Sequence, residues 1–145
     1  MARVSTYLNF NGNTEEVFNF YKSVFGTEFD GPIVRMGDGP TQENQPQLTD
    51  EQKNMVMHVN LPIVTGHRLM GTDAPESMGF QLTMGNNIYI NLELDSREEA
   101  DKLFAALSEG GQVEMALGEE FWGYFGSCTD KYGVKWMVNV DKVSE

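Results

Sequence analysis

The chain has 145 residues, of which 40% are hydrophobic, and this length is sufficient to bury the core of a single domain. Its 22 acidic residues outnumber its 10 basic ones, and a surface with a net charge of −12 repels nucleic-acid phosphates and anionic membranes. No apolar run is long enough to cross a membrane, and the single cysteine, Cys128, excludes an internal disulfide and fits a reducing cytoplasm.

The first predicted elements are a strand and an amphipathic helix. Polar and apolar residues alternate over 5–10, as they do in a half-buried strand. Asn13, with Glu16 three positions later, predicts a capping box at the start of a helix, and Gly26 predicts where that helix ends. Three further strands are predicted at 29–35, 54–61 and 68–73.

Between two of these strands, the segment 37–53 is rich in Gly, Pro, Gln, Asn and acidic residues. It has no hydrophobic periodicity, which predicts a long loop. Two interpretations remain open. The loop is either a solvated excursion or a lid over a pocket, since long loops in compact domains often carry function.

The second half of the chain repeats this plan. Residues 87–94 alternate again, and Ser96 with Glu99 predicts the capping box of a helix that ends at Gly110. An internal repeat of this size indicates two copies of one small α+β unit. Later strands are predicted at 113–120, 124–129 and 134–140, with a turn at 130–133 between the last two.

Two such units resemble the vicinal oxygen chelate superfamily, which includes glyoxalase I, extradiol dioxygenases, fosfomycin-resistance enzymes and bleomycin-resistance proteins. The segments that carry the resemblance are YLNFNGNTEEVFNFYKSVFG at 7–26, VMHVNLPI at 56–63 and FWGYFGSCTDKYGVKWMVNV at 121–140, and they are most similar to the PhnB-like branch. The resemblance implies one α+β domain of two βαβββ modules, about 4–75 and 86–141. Their strands would form a cupped, incomplete mixed β-barrel with helices packed outside. Without the resemblance, a ferredoxin-like dimeric barrel with fewer strands per unit would be the alternative fold.

The resemblance also implies a homodimer and, in the superfamily's catalytic members, a divalent metal held by His and Glu at four equivalent strand positions. Here those positions carry Thr6 or Tyr7, Met70, Tyr89 and Met137, and none of these is an ordinary ligand for such an ion. We therefore predict no metal and no cofactor, with a divalent metal as the alternative. Some PhnB-like proteins are labelled demethylubiquinone methyltransferases. This sequence lacks the Gly-rich turn after a parallel strand that usually holds the cofactor of such an enzyme.

The predicted ligand site lies on one face of the strands. By alternation, His58 and Asn60 share a face, opposite Met57, Val59 and Leu61. If that face lines the cavity, aromatic walls and a few hydrogen-bonding groups would form a small-molecule site. The predicted ligand-binding residues are Tyr7, Asn9, His58, Asn60, Asp73, Tyr89, Asn91 and Trp122.

Two classes of function remain open. The first, which we expect, is metal-independent binding of a small organic molecule in the central cavity, and the acidic charge suits a cationic ligand. The second is an enzyme of lyase, isomerase or dioxygenase type. It would be either metal-dependent or would use His58 as its acid/base catalyst, since imidazole suits proton transfer near neutral pH. Trp136 and Cys128 are predicted to be core residues.

Overall fold

The computed structural model describes residues 1–40 and 46–142, so residues 41–45 of the predicted loop lie outside the described part. The chain divides into two compact units, Met1–Leu82 and Thr83–Glu145. Each unit has an open, four-stranded mixed sheet and a helix of 12 residues, so the fold is α+β. Among the described residues, no helix has both the length and the apolar character needed to cross a membrane.

In the first unit, the strands lie in the order β1-β4-β3-β2. β1 is parallel to β4, and the other neighbours are antiparallel. The elements are β1 (Thr6–Phe10), α1 (Thr14–Phe25), β2 (Val34–Arg35), α2 (Asp50–Asn54), β3 (Val56–Pro62) and β4 (Arg68–Asp73).

The start of α1 differs from its prediction. Asn13 is the residue before the helix, but its side chain makes no capping hydrogen bond. Instead, Asp73 Oδ1 accepts hydrogen bonds from the backbone N–H of Thr14 at 3.0 Å and from Thr14 Oγ1 at 2.6 Å. The predicted capping box is therefore wrong, because a buried carboxylate from the end of β4 takes the free donors of the helix. The predicted end is confirmed, since Gly26 has a left-handed φ of 66°.

Two predictions for the middle of this unit were wrong in extent. Of the predicted strand 29–35, only Val34–Arg35 forms a strand, although the backbone N–H of Asp30 also donates to the carbonyl oxygen of Asn60 on β3 at 2.8 Å. The predicted loop ends early, because Asp50–Asn54 forms α2. That helix has a capping box that the sequence interpretation missed. Thr49 Oγ1 accepts from the backbone N–H of Gln52 at 3.1 Å, and Gln52 Oε1 accepts from the N–H of Thr49 at 3.0 Å.

The face assigned to Met57 was also wrong. Val34 pairs with His58 and Arg35 pairs with Val56, so Met57 is an extra residue on β3, as in a β-bulge. Val56 and Val59 are both buried, whereas Met57 is 53% exposed. The bulge breaks the alternation and turns Met57 away from the core, which strict period-two counting could not predict.

The second unit repeats the topology of the first, with the order β5-β8-β7-β6 and a parallel β5–β8 pair. The repeat inferred from the sequence is therefore confirmed. Ser96 Oγ accepts from the N–H of Glu99 at 3.1 Å and caps α3 as predicted. The predicted strand at 87–94 is shorter and begins at Ile90. The elements are β5 (Ile90–Leu94), α3 (Arg97–Ser108), β6 (Gln112–Glu120), β7 (Gly123–Thr129) and β8 (Lys135–Asp141).

The core of this unit contains the two residues predicted to be buried there. Trp136 and Cys128 are fully buried and lie opposite each other on β8 and β7. Burial raises the pKa of the Cys128 thiol to about 11. The indole Nε1 of Trp136 donates to Asp130 Oδ2 at 2.9 Å. Asp130 Oδ1 accepts from the N–H groups of Tyr132 and Val134, which builds the predicted turn between β7 and β8.

Candidate functional site

A cavity of about 550 Å³ lies in the first unit. This volume falls within the range of small-molecule sites. Most of its wall is apolar, formed by methionine, leucine, alanine and phenylalanine side chains, and its polar groups are few. The lining residues are Asn9, Met36, Leu48, Met57, Thr72, Asp73, Ala74, Met78, Phe80, Gln81 and Leu82.

The sheet supplies the polar side of this cavity. Asn9 on β1 pairs in register with Thr72 on β4, so the two side chains share the open face of the sheet. The bulge on β3 brings Met57 to the same cavity. Phe80 and Leu82 come from the segment that follows β4, where the sequence showed no strand or helix period. Of the predicted ligand-binding residues, Asn9 and Asp73 line this cavity, whereas its methionines and Phe80 were not among the predicted residues.

Asp73 lies in the cavity wall, yet its carboxylate is engaged by the protein. Oδ1 accepts the two hydrogen bonds from Thr14, and Oδ2 accepts the backbone N–H of Val56 at 2.8 Å. The residue is 4% exposed. Asp73 therefore holds β4, α1 and β3 together at the cavity, and any contact of its carboxylate with a ligand stays a prediction.

Tyr7 and His58 lie together on the open face of the same sheet. Tyr7 Oη and His58 Nδ1 are 3.2 Å apart, and the ring centroids are separated by 5.8 Å. Burial raises the pKa of Tyr7, so its phenol stays protonated at neutral pH. Asn60 pairs with Met70, which pairs in turn with Tyr7. The Oδ1 atom of Asn60 is buried and has no hydrogen-bond partner among the described residues.

In the second unit, Tyr89 belongs to a hydrogen-bonded cluster on the sheet. Its hydroxyl donates to Glu114 Oε2 at 2.7 Å, while Thr129 Oγ1 and Lys135 Nζ donate to Glu114 Oε1 at 3.0 and 3.1 Å. The hydrogen bond from Tyr89, followed by those from Lys135 and Thr129, lowers the pKa of Glu114. The same bond to Glu114 raises the pKa of Tyr89. The sequence interpretation missed Thr129 and Lys135, which lie opposite each other on β7 and β8.

Asn91 and Trp122 also lie on the open face of this second sheet. The amide of Asn139 donates to Asn91 Oδ1, and Asn139 pairs in register with Phe125. Trp122, in the turn between β6 and β7, is in ring contact with Phe125 at 5.6 Å between centroids. Trp122 lies between the predicted strands 113–120 and 124–129, and the structure confirms a strand break there. Of the predicted ligand-binding residues, the structure brings Tyr7 together with His58, and Asn9 and Asp73 line one cavity. Asn91 and Trp122 are connected through Asn139 and Phe125.

The residues at the superfamily's metal positions do not fit a divalent metal. Met70 lies opposite Tyr7 in the first sheet, and Met137 lies opposite Asn91 in the second. By strand register, the residue equivalent to Tyr7 is therefore Asn91, two positions beyond the predicted Tyr89. Phenol, thioether and amide groups are poor ligands for such an ion. Over residues 1–40 and 46–142, no group of three or more His, Cys, Asp or Glu side chains is placed to hold a metal.

Comparison with known proteins agrees with this architecture. A family model described as 3-demethylubiquinone-9 3-methyltransferase matches residues 2–139. The crystal structure of protein PA1353 from Pseudomonas aeruginosa is 35% identical, with a TM-score of 0.81, over 99% of this chain and 100% of that one. A Bacillus cereus PhnB protein with the same methyltransferase description is 29% identical, with a TM-score of 0.72, over 96% and 99% of the two chains.

A glyoxalase/bleomycin resistance protein/dioxygenase family enzyme from Burkholderia phytofirmans shares the fold alone. It is 20% identical with a TM-score of 0.60, and the match covers 94% of this chain and 98% of that one.

Proposed function

Because this chain belongs to the PhnB-like family described as 3-demethylubiquinone-9 3-methyltransferase, which has the glyoxalase/bleomycin-resistance fold, we propose that it binds a small organic molecule without a metal. The observation that carries this proposal is the cavity of about 550 Å³ in the first unit. Its apolar wall would bury the carbon skeleton of a ligand, and Asn9 and Thr72 would orient its polar groups. The residues at the usual metal positions favour binding without an ion.

A charge placed in the cavity wall tests the proposal. Met57 is 53% exposed, so Met57→Glu should leave the fold intact. The introduced carboxylate would have to lose its hydration when an apolar molecule binds, and we expect the affinity for the neutral dye Nile red to fall at least tenfold. The measurement is a fluorescence titration.

Met84→Glu is the matched control, since Met84 is 49% exposed and does not line the cavity. We expect it to bind the dye as the wild type does. Equal affinity of the wild type and Met57→Glu would contradict the proposed cavity site.

The alternative function is that of an acid/base enzyme using His58, and the contact between His58 and Tyr7 favours it. His58→Ala should reduce turnover or ligand affinity without unfolding the protein, because the side chain lies on the open face and not in the core. His67→Ala is the matched control, since His67 contacts Thr6 on the same unit. Unchanged ligand affinity and turnover in His58→Ala would remove His58 from the site.

The metal-dependent form of this alternative has its own test. Elemental mass spectrometry of the tag-free protein, after dialysis against Mn, Fe, Ni or Zn, would detect a stoichiometric ion. Such an ion in the wild type, lost in His58→Ala, would contradict our proposal and make a metal-dependent enzyme the better explanation.

We also propose that the protein acts as a homodimer in the cytoplasm. Its large exposed apolar side chains, including Val113 and Met115 on β6, support a protein partner. Sedimentation equilibrium should give twice the mass of the chain, and a monomer at micromolar concentration would contradict this.

A further inference from the structure

We infer that the open face of the second sheet carries a site for a small organic ammonium ion. The site consists of Trp122, Phe125, Glu120 and Asp141, which we call the aromatic–acidic patch. It goes beyond the proposed cavity function, because every residue lining the cavity belongs to the first unit.

Two edge-to-face contacts hold the aromatic part of the patch. The rings of Trp122 and Phe125 have centroids 5.6 Å apart at an angle of 64°, and Phe121 meets Trp122 edge-on at 4.8 Å. Trp122 is nevertheless 45% exposed and Phe121 is 85% exposed. Rings that are braced by neighbours but open to solvent are typical of a recognition surface.

The strand register places the two carboxylates beside these rings. Glu120 and Asp141 both lie opposite Gly123, one on each side of it. Phe125, two residues further along β7, therefore projects to the same face as their side chains. Gly123 has a φ of +153°, and a Cβ there would lie 2.4 Å from the carbonyl oxygen of Val140. Only glycine fits here, because a side chain would collide with the backbone at the end of β8.

Within the described part of the chain, neither Glu120 nor Asp141 forms an ion pair. Residues 41–45 and 143–145 contain no Lys, Arg or His. Arg97 is engaged on the other side of the sheet, where it binds Glu119 Oε1 at 3.1 Å and stacks on Tyr124 at 4.7 Å.

An organic ammonium ion fits this combination of groups. The face of an indole attracts a cation held within about 6 Å of the ring centroid, and nearby carboxylates add Coulomb attraction. A quaternary ammonium carries no N–H group, so it needs aromatic faces and negative charge rather than hydrogen-bond acceptors. The net charge of −12 further raises the local concentration of cations.

The test compares choline with its neutral isostere, 3,3-dimethylbutan-1-ol, at constant ionic strength. The probe is the indole N–H resonance of Trp122 in an NMR titration. Trp136 supplies the internal reference, since it is fully buried and bonded to Asp130. We expect choline to shift the Trp122 resonance saturably and the isostere to bind at least tenfold more weakly. Equal binding of both compounds, or no saturable shift with choline, would overturn the proposal.

Variants then test whether the patch, and not the overall negative charge of the protein, binds choline. Trp122→Leu lacks the indole probe, so its choline affinity is measured by calorimetry. Trp122→Leu and Glu120→Gln should each reduce choline affinity by about three- to tenfold. Glu119→Gln is the matched control, because its carboxylate is paired with Arg97 on the other side of the sheet, and it should stay within twofold of the wild type. An equal loss in Glu119→Gln and Glu120→Gln, or no loss in Trp122→Leu, would overturn the site. Since all of these substitutions lie in the second unit and the cavity is lined only by residues of the first, Nile red binding is expected to be unchanged, and the two proposals can fail separately.

Discussion

Single buried carboxylates organise both units. Asp73 and Asp130 are each at least 96% buried, and each accepts at least three hydrogen bonds from the protein. Burial of a carboxylate is costly unless such donors replace water. In the first unit, this exchange fixes the wall of the candidate cavity, so the residue that shapes the site need not be one that contacts the ligand.

Removal of the Asp73 carboxylate should therefore destabilise the fold. Asp73→Ala leaves the buried N–H groups of Thr14 and Val56 without an acceptor, and we expect the free energy of unfolding to fall by about 3 kcal/mol. Urea denaturation measures this change. Asp95→Ala, at an exposed position, is the control and should change the stability by less than about 0.5 kcal/mol. Equal stability of the two variants would contradict the role of Asp73.

In the first unit, α1 packs closely against β4 at Gly71. A Cβ on Gly71 of β4 would lie 2.5 Å from Cε1 of Phe18, which is fully buried on α1. The helix rests on the sheet at this glycine, and the aromatic ring fills the space that a side chain would need.

Gly71→Ala should force the ring and the helix apart. Overpacking of this kind lowers the free energy of unfolding by about 1–3 kcal/mol. Gly39→Ala is the matched control, since a Cβ built on Gly39 would have no other atom within 4 Å and the residue has a φ of −80°. Thermal unfolding of both variants provides the measurement, and a loss in Gly39→Ala as large as that in Gly71→Ala would contradict the packing argument.

The cluster that joins β6, β7 and β8 through Glu114 should make stability depend on pH. Because the folded pKa of Glu114 is lowered, the cluster contributes its full stability above the unfolded pKa and loses it as pH falls through the folded pKa. Between pH 7 and pH 3, the wild type should lose more stability than Glu114→Gln in urea unfolding. Glu109→Gln, at an exposed position after α3, should lose as much as the wild type. Parallel curves for the wild type and Glu114→Gln would contradict this linkage.

At the scale of elements, the sequence predicted what short-range rules determine. The amphipathic pattern and Gly26 located α1, and alternation located β1, because both depend on neighbours in sequence. The cap at Thr14 was missed because it comes from Asp73, which is distant in sequence. The bulge at Met57 was missed because it depends on the pairing of β3 with Arg35 on another strand. Pairing partners across a sheet are not encoded by local periodicity.

At the scale of the whole molecule, the repeat was the most reliable prediction, since both units have the same strand order. The predicted residues that line the cavity all lie on strands. Asn9 is on β1, and alternation gave its face correctly. Leu48, Phe80 and Leu82 complete the cavity from segments without a period, and no sequence rule could assign them to it.

The two long helices receive their caps from very different distances along the chain. In α3 the cap comes from Ser96, three residues before Glu99, whereas in α1 it comes from Asp73, 59 residues after Thr14. A local cap forms without a large loop-closure entropy, and a distant one does not. During refolding, α3 should therefore form early and nucleate the second unit. The helix of the first unit should become protected from hydrogen exchange only after β4 has joined the sheet, so the half of the chain synthesised first would be the last to complete its folding.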